Sequence, residues 1–253
     1  MRTAISIGLP GTTPAATIAA LAPRIERLGY MGLWLNDVPN GDSLAGLRTA
    51  ASATSTLGLA TGAIPLDRRP AASLDLSDLP VERTVIGVAS GASRYPLALV
   101  GDGVATLRQT TDAAIIVAAL GPRMRRLAAE QADGVLFNWL TPAAAAKAMV
   151  ELRQQAGGRT VRGVLYCRTI TDELARGELE QESSRYESYP SYAANFERLG
   201  FRPIESTIDG ADALARFDGV VDEVVLRAIT LAGTLGELER FVEESAGWNS
   251  IAA

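Results

Sequence analysis

The sequence predicts an α/β protein built as a (β/α)8 TIM barrel, and three observations carry that prediction. Eight short apolar runs recur at intervals of about 30 residues, each followed by a segment of helical periodicity. Residues 112–142 (DAAIIVAALGPRMRRLAAEQADGVLFNWLTP) spell out one complete βαβ unit. A length of 253 residues suits such a barrel as a single domain over 1–253. An open doubly wound sheet is the rival, but no GxGxxG follows the first strand.

The elements follow in order. A short apolar strand, 3–8, leads into a helix over 14–28 that stops at Gly29. GLWLN, 32–36, is the second strand, and 43–57 the second helix. Strands three and four lie at 59–64 and 84–89, the latter reading TVIGVA. Only about 23 residues then join the fourth strand to the fifth, with a helix at 104–109, so a capping insertion is expected to be absent there. The fifth strand, 113–118, is a continuous apolar run, as in a parallel strand covered on both faces. Gly121-Pro122 punctuates it, with Pro122 suited to the first helical turn because its missing N–H costs nothing there. Met124, Leu127, Ala128 and Ala132 form the inner face of that helix, and Arg123, Arg125, Arg126 and Glu130 the outer one. The sixth strand is 134–138, followed by a helix over 142–155 that carries Lys147 on a solvated face. RGVLYCR, 162–168, is the seventh strand and DEVVLR, 222–227, the eighth. Helices at 172–187, 192–199 and 234–245 complete the pattern.

Composition narrows the function. A net charge of −5 argues against general nucleic-acid binding. No run of 18 apolar residues is present, so no membrane span or membrane partner is expected, and the start lacks a long apolar signal region. A single cysteine, Cys167, rules out an intramolecular disulfide and a cysteine-rich metal site; it is expected in the core, and the cytoplasm is the expected location. Histidine is absent altogether. That removes the Ser-His-Asp triad, histidine-ligated zinc and the commonest general acid or base. Lys147 is the only lysine, which leaves little basis for Schiff-base chemistry. Chemistry supplied by a bound cofactor is the economical alternative.

In a barrel the active site lies at the C-terminal strand ends. Those ends read Gly8-Leu9-Pro10, Asn36-Asp37, Gly62-Ala63-Ile64, Ala89-Ser90-Gly91, Ala119-Leu120-Gly121, Asn138-Trp139-Leu140-Thr141, Arg168-Thr169 and Arg227-Ala228. Small residues, amides and hydroxyls with few charges suit a flat, broad ligand approached closely by backbone. Gly121 opens a helix whose bare N–H groups favour an anion. A metal-dependent hydrolase would need converging carboxylates, and only Asp37 sits at a strand end. The cluster Asp67-Arg68-Arg69 reads equally as a surface salt bridge. Residues 186–201 (YESYPSYAANFERLGF) are either an aromatic lid after the seventh strand, with Pro190 breaking the helix, or packing against the barrel or a second copy.

Five segments, taken in order, resemble the bacterial luciferase-like family of flavin- or deazaflavin-dependent oxidoreductases, particularly the actinobacterial branch using coenzyme F420. They are IERLGY (25–30) with GLWLND, ATGAIPLDRRP (60–70), LPVERTVIGVASG (79–91), ALGPRMRRLAAEQADGVLFNWLTP (119–142) and DEVVLRAI (222–229). The resemblance implies a (β/α)8 barrel moving a hydride, or activating oxygen, through F420, with FMN the alternative, on a small-molecule substrate. It also implies a homodimer. Members often carry a bulge, sometimes with a non-proline cis peptide, at the end of the third strand. Gly62, Ala63 and Ile64 occupy that place and would back the ring. Ala89, Ser90 and Gly91 match the turn beside the ring. Ala119, Leu120 and Gly121 match the segment holding the phosphate, and Asn138, Trp139, Leu140 and Thr141 the neighbouring turn. Asn36 and Asp37 match positions near the ring's polar edge. The family's deazaflavin dehydrogenases commonly place His and Glu at the ring; neither is present here. Proton transfer would fall to Asp37, Tyr95, water or the substrate. The alternative is a degenerate barrel that binds a planar ligand without turnover.

Overall fold

A computed structural model describes residues 2–251. The elements run β1 (Ala4–Pro10), α1 (Ala15–Arg27), β2 (Gly32–Asn36), α2 (Ser43–Ala53), β3 (Gly58–Thr61), β4 (Ile64–Pro65), β5 (Thr84–Ala89), α3 (Pro96–Thr110), β6 (Ala114–Ala118), α4 (Pro122–Gln131), β7 (Gly134–Asn138), α5 (Pro142–Gln155), β8 (Arg162–Thr169), α6 (Arg176–Glu187), α7 (Pro190–Leu199), α8 (Ala211–Ala215), β9 (Glu223–Ala228) and α9 (Leu235–Ile251). Every strand pairing is parallel, and a β3–β5 pairing closes the sheet on itself. With β4 as a short continuation of β3, this is a closed eight-stave barrel.

Local chemistry explains the helix starts. Proline occupies the first turn of α3, α4, α5 and α7, where its fixed φ suits a helix and its missing N–H is no loss. Asp42 caps α2, accepting from Leu44 N and Ala45 N at 3.1 and 3.2 Å. Pro190 therefore does not interrupt a helix; it begins α7, with two residues between it and the end of α6 at Glu187.

Four expected elements differ from those observed. The helix expected over 43–57 stops at Ala53, because Arg83 reaches in and takes the carbonyls of Ala51, Thr54 and Leu57. The helix placed at 104–109 begins eight residues earlier, at Pro96, so it fills most of the β5–β6 connection. The third strand, expected unbroken over 59–64, is split: β3 ends at Thr61, the Gly62–Ala63 peptide is cis, and β4 resumes at Ile64. The helix expected over 172–187 opens with a 3-10 turn, Glu173–Ala175, before α6.

Two apolar layers hold the barrel. Inside it, Trp34, Ala60, Ile116, Leu136, Val164, Tyr166 and Val225 form one buried cluster. Outside it, the alternate strand residues pack under the helices, Cys167 among them; burial pushes that thiol up to about 12, so it is inert at neutral pH. The interior base is closed by Glu223, 1% exposed, which accepts from Ser6 Oγ, from Trp34 Nε1 at 2.8 Å and pairs with Arg162 at 2.7 Å. Lys147 is exposed, as its helical spacing predicts.

Candidate active site

The strand C-termini surround a cavity of about 560 Å3. That is room for a cofactor-sized ligand. Its floor is Gly62, Ala63, Ala118, Leu136 and Tyr166; one wall is Asn36, Asp37 and Arg68, another Ala89–Gly91 with Ala119–Gly121 and Met124. The third wall is Asn138, Arg168, Tyr186 and Tyr192.

Twelve of the residues expected at the site converge on this cavity: Asn36, Asp37, Gly62, Ala63, Ala89, Ser90, Gly91, Ala119, Leu120, Gly121 and Asn138 line it, and Trp139 braces it from behind. Ile64 and Leu140 are fully buried in the outer core: strand alternation turns Ile64 away from the mouth, and Leu140 lies past the end of β7, after the left-handed Trp139. Thr141 is spent as the N-cap of α5, accepting from Ala144 N at 3.4 Å. Tyr95 is 77% exposed and outside the lining.

Asp37 is inside but occupied. Its carboxylate, 3% exposed, pairs with Arg69 Nη1 and accepts from Ser43 Oγ at 3.1 Å. Asp67, expected as a surface ion pair, instead accepts from Ala92 N at 2.8 Å and pins the Ser90–Ala92 turn. Gly91 sits in that turn at φ +59°, and a Cβ there would fall 1.8 Å from the Asp67 carboxylate. Arg68 donates to the Asp37 carbonyl at 2.7 Å and has no carboxylate within ion-pair distance among the described residues.

The third wall is organised by Arg168, which the strand-end reading passed over. Its guanidinium is 3% exposed, donates from Nη1 to Asn138 Oδ1 and from Nε to Glu182 Oε1 at 2.9 Å. It packs against two rings that also touch each other, 4.0 Å from the Trp139 centroid and 4.6 Å from that of Tyr186, whose centroids are 5.0 Å apart. Trp139 holds this position with φ +55°, a left-handed conformation costing on the order of 1–3 kcal/mol that packing must offset. Tyr186, Tyr189, Tyr192, Phe196 and Phe201 continue the ring contacts as a wall on α6 and α7, with Tyr186 and Tyr192 facing the cavity. A signal for Arg168 was present in RGVLYCR: residues 162, 164, 166 and 168 share one strand face, which places Tyr166 and Arg168 inward.

Two buried polar atoms on the cavity residues have no partner, Asn36 Oδ1 and the Tyr166 hydroxyl. Burial pushes the Tyr166 hydroxyl up to about 12, and the same cause raises Tyr192 to about 12, so both remain neutral near pH 7.

A parallel barrel with a small-residue mouth and a fixed charge-and-ring wall defines a ligand-binding barrel of the kind that hosts planar cofactors. The chain belongs to the luciferase-like monooxygenase family, whose sequence pattern matches residues 89–248. No curated protein sequence matches it. Among solved structures it is similar to monooxygenase RslO1 from Streptomyces bottropensis (TM-score 0.73, 17% identity, covering 97% of this chain and 98% of that one). It is also similar to an F420-dependent secondary alcohol dehydrogenase (TM-score 0.71, 14% identity, 97% and 99% covered). A third is the coenzyme F420 dependent tetrahydromethanopterin reductase from Methanopyrus kandleri (TM-score 0.67, 16% identity, 96% and 98% covered). At these identities the likeness establishes the barrel, not the substrate.

Proposed function

We propose that the mouth binds the tricyclic ring of F420, with FMN the alternative, and that the chain is an oxidoreductase that moves a hydride or activates oxygen on a small organic molecule. The observation that carries this reading is a cavity at the strand C-termini lined by glycine and small side chains at Gly62–Ala63, Ala89–Gly91 and Ala118–Ala119, with the Tyr186 and Tyr192 rings on one side. The faces of a flat heteroaromatic ring need walls without bulk, and this lining has them. The likeness to two enzymes described as F420-dependent supports F420 as first choice.

Such a ring, when bound, supplies the hydride-carrying chemistry. The chain's own residues then do the positioning. Tyr166, neutral because of its burial, forms part of the floor and Asn36 part of the edge. Gly62 and Ala63 back one face. Tyr186 and Tyr192 exclude water on the α6–α7 side. Arg68 and the uncapped first turn of α4 at Gly121 face the anionic tail. Asp37, paired with Arg69, and Tyr95, outside the cavity, are poorly placed to carry a proton, which leaves that step to water or to the substrate.

Gly121→Asp tests the tail assignment. A Cβ at Gly121 meets nothing within 4 Å, so the variant folds. Aspartate is a better N-cap than glycine by only about a few tenths of a kcal/mol, so α4 is stabilised slightly and the melting temperature rises a little. The same carboxylate repels a phosphate some 5 Å away by about 2–3 kcal/mol. A variant with raised stability and cofactor binding weakened roughly 30- to 100-fold is the expected outcome; equal affinity for F420 and FMN in wild type and variant would remove the tail from this site.

A second reading, a barrel that binds the ring without turnover, is favoured by the absence of histidine and the occupied Asp37. Retention of the ring with no reoxidation by any electron acceptor distinguishes it. The proposal also carries a cytoplasmic homodimer with no nucleic-acid partner; no helix among the described residues is long and apolar enough to cross a membrane.

A further inference from the structure

Beside the mouth cavity lies a smaller recess of about 240 Å3, between the C-terminal ends of β1 and β9 and the helix α6. The two spaces meet at the Arg168–Glu182 pair: Arg168 lines the large cavity and Glu182 the recess. Nothing in the ring-binding reading uses the recess.

Its charges do not balance. Three guanidinium groups surround the Glu182 carboxylate, and only Arg168 is hydrogen-bonded to it, at 2.9 Å. Arg185 Nη2 stands 3.6 Å and Arg227 Nη2 4.0 Å from Glu182 Oε2, distances of loose attraction. Glu178, one helical turn before Glu182 on α6, also lines the recess. With Glu182 neutralised from behind by Arg168, the recess sets Glu178 against Arg185 and Arg227, which leaves one positive charge in excess. Arg227 feels this most, since its side chain is only 15% exposed and its one hydrogen bond goes to the Ala228 carbonyl. A largely buried guanidinium with open N–H groups calls for an anionic acceptor. The opposite walls are apolar, formed by Pro10, Ile229 and Leu238.

We propose that this recess binds a small monocarboxylic acid, its carboxylate on Arg227 and Arg185 and its hydrocarbon part against the apolar walls. A single excess charge selects a monoanion, because Glu178 and Glu182 repel a second negative group. That the acid is the molecule oxidised or reduced rests on the proposed function, through the partition the recess shares with the ring cavity; the binding itself does not.

The test is NMR titration of arginine side-chain Nε resonances in the 15N-labelled full chain, with sodium butyrate as the probe. Butyramide, succinate, inorganic phosphate and sodium chloride are the comparators. Saturable shifts at Arg227 and Arg185 with butyrate, and none with butyramide or chloride, are expected. Arg227→Gln weakens butyrate about tenfold or more, and Arg185→Gln, at a site 58% exposed that cannot disturb the core, weakens it as well. Ring binding stays within about twofold in Arg185→Gln, whose side chain is 58% exposed and does not line the ring cavity. Equal response to butyrate and butyramide, a linear response like that to chloride, tighter binding of phosphate or succinate, or unchanged butyrate affinity in both variants would each overturn the proposal. Butyrate binding in a protein that binds neither ring would sink the proposed function and leave this site standing.

Discussion

Arg168→Met is expected to cost about 3–5 kcal/mol of folding stability and to abolish ring binding. The substitution keeps much of the buried volume but strands Glu182, whose side chain is 13% exposed, with only the looser Arg185 and Arg227 nearby. It also removes the donor that fixes Asn138 Oδ1 and the cation packed against the Trp139 and Tyr186 rings. Burial pushes the Glu182 carboxyl up, yet Arg168 and Arg227 beside it hold it below its ordinary range. Its contribution is therefore complete above the ordinary carboxylate pKa, about 4.3, and lost as pH falls through the lower folded value. Denaturant unfolding at pH 7 measures the loss. The double variant Arg168→Met with Glu182→Leu recovers most of the stability, since a whole buried pair can be exchanged for apolar residues, but does not recover the ring. An unchanged unfolding midpoint in the single variant would show that the wall does not depend on this charge.

Gly87→Ala is the second large effect, and it acts at the seam where the barrel closes. There β3 pairs with β5 only through Leu59↔Thr84 and Ala60↔Val85. Beyond that point the ladder is replaced by one side chain: Thr61 Oγ1 accepts from Gly87 N at 2.8 Å and donates to Gly87 O at 2.9 Å. A Cβ on Gly87 would lie 2.0 Å from the Thr61 carbonyl oxygen, a backbone atom that no rotamer can move aside. The expected loss is about 3 kcal/mol or more, a fall in melting temperature of roughly 6–12 °C. The Gly62–Ala63 bulge hangs directly from Thr61, so ring affinity falls with stability. A melting curve superimposable on that of the wild type would mean that the seam is looser than these contacts require.

Much of the scaffold was legible because punctuation and apolar runs coincide. The strands at 32–36, 84–89 and 134–138 and the helix at 142–155 have the bounds read from Gly, Pro and Val/Leu/Phe runs. Helix α3 was read too short because Gly101 and Gly103 interrupt its pattern. The structure gives Gly103 a tertiary reason, since a Cβ there would meet Leu66 at 2.4 Å. The break in the third strand had no signal in the apolar run 59–64 itself; only the family likeness pointed to it. At the mouth, strand ends located the right region, but taking consecutive residues ignored alternation at Ile64 and ran past the end of β7 to Leu140, both of them core residues. Asp37 looked free because its neutralising partner, Arg69, is 32 residues away in sequence. Arg168 was overlooked because a lone arginine in an apolar strand gives no hint of the Glu182 and Trp139 that house it.

The central claim is that the mouth cavity holds a flavin-type ring, and fluorescence titration of the purified chain with F420 and with FMN tests it most directly, using Ser90→Trp beside the wild type. Ser90 is half-buried on the cavity wall, so an indole there occupies the ring's space without entering the core. Saturable binding of one of the two rings to the wild type, reduced by about 100-fold or more in a Ser90→Trp protein of unchanged melting temperature, is the predicted result. Binding of neither ring, or equal binding to both proteins, would contradict it.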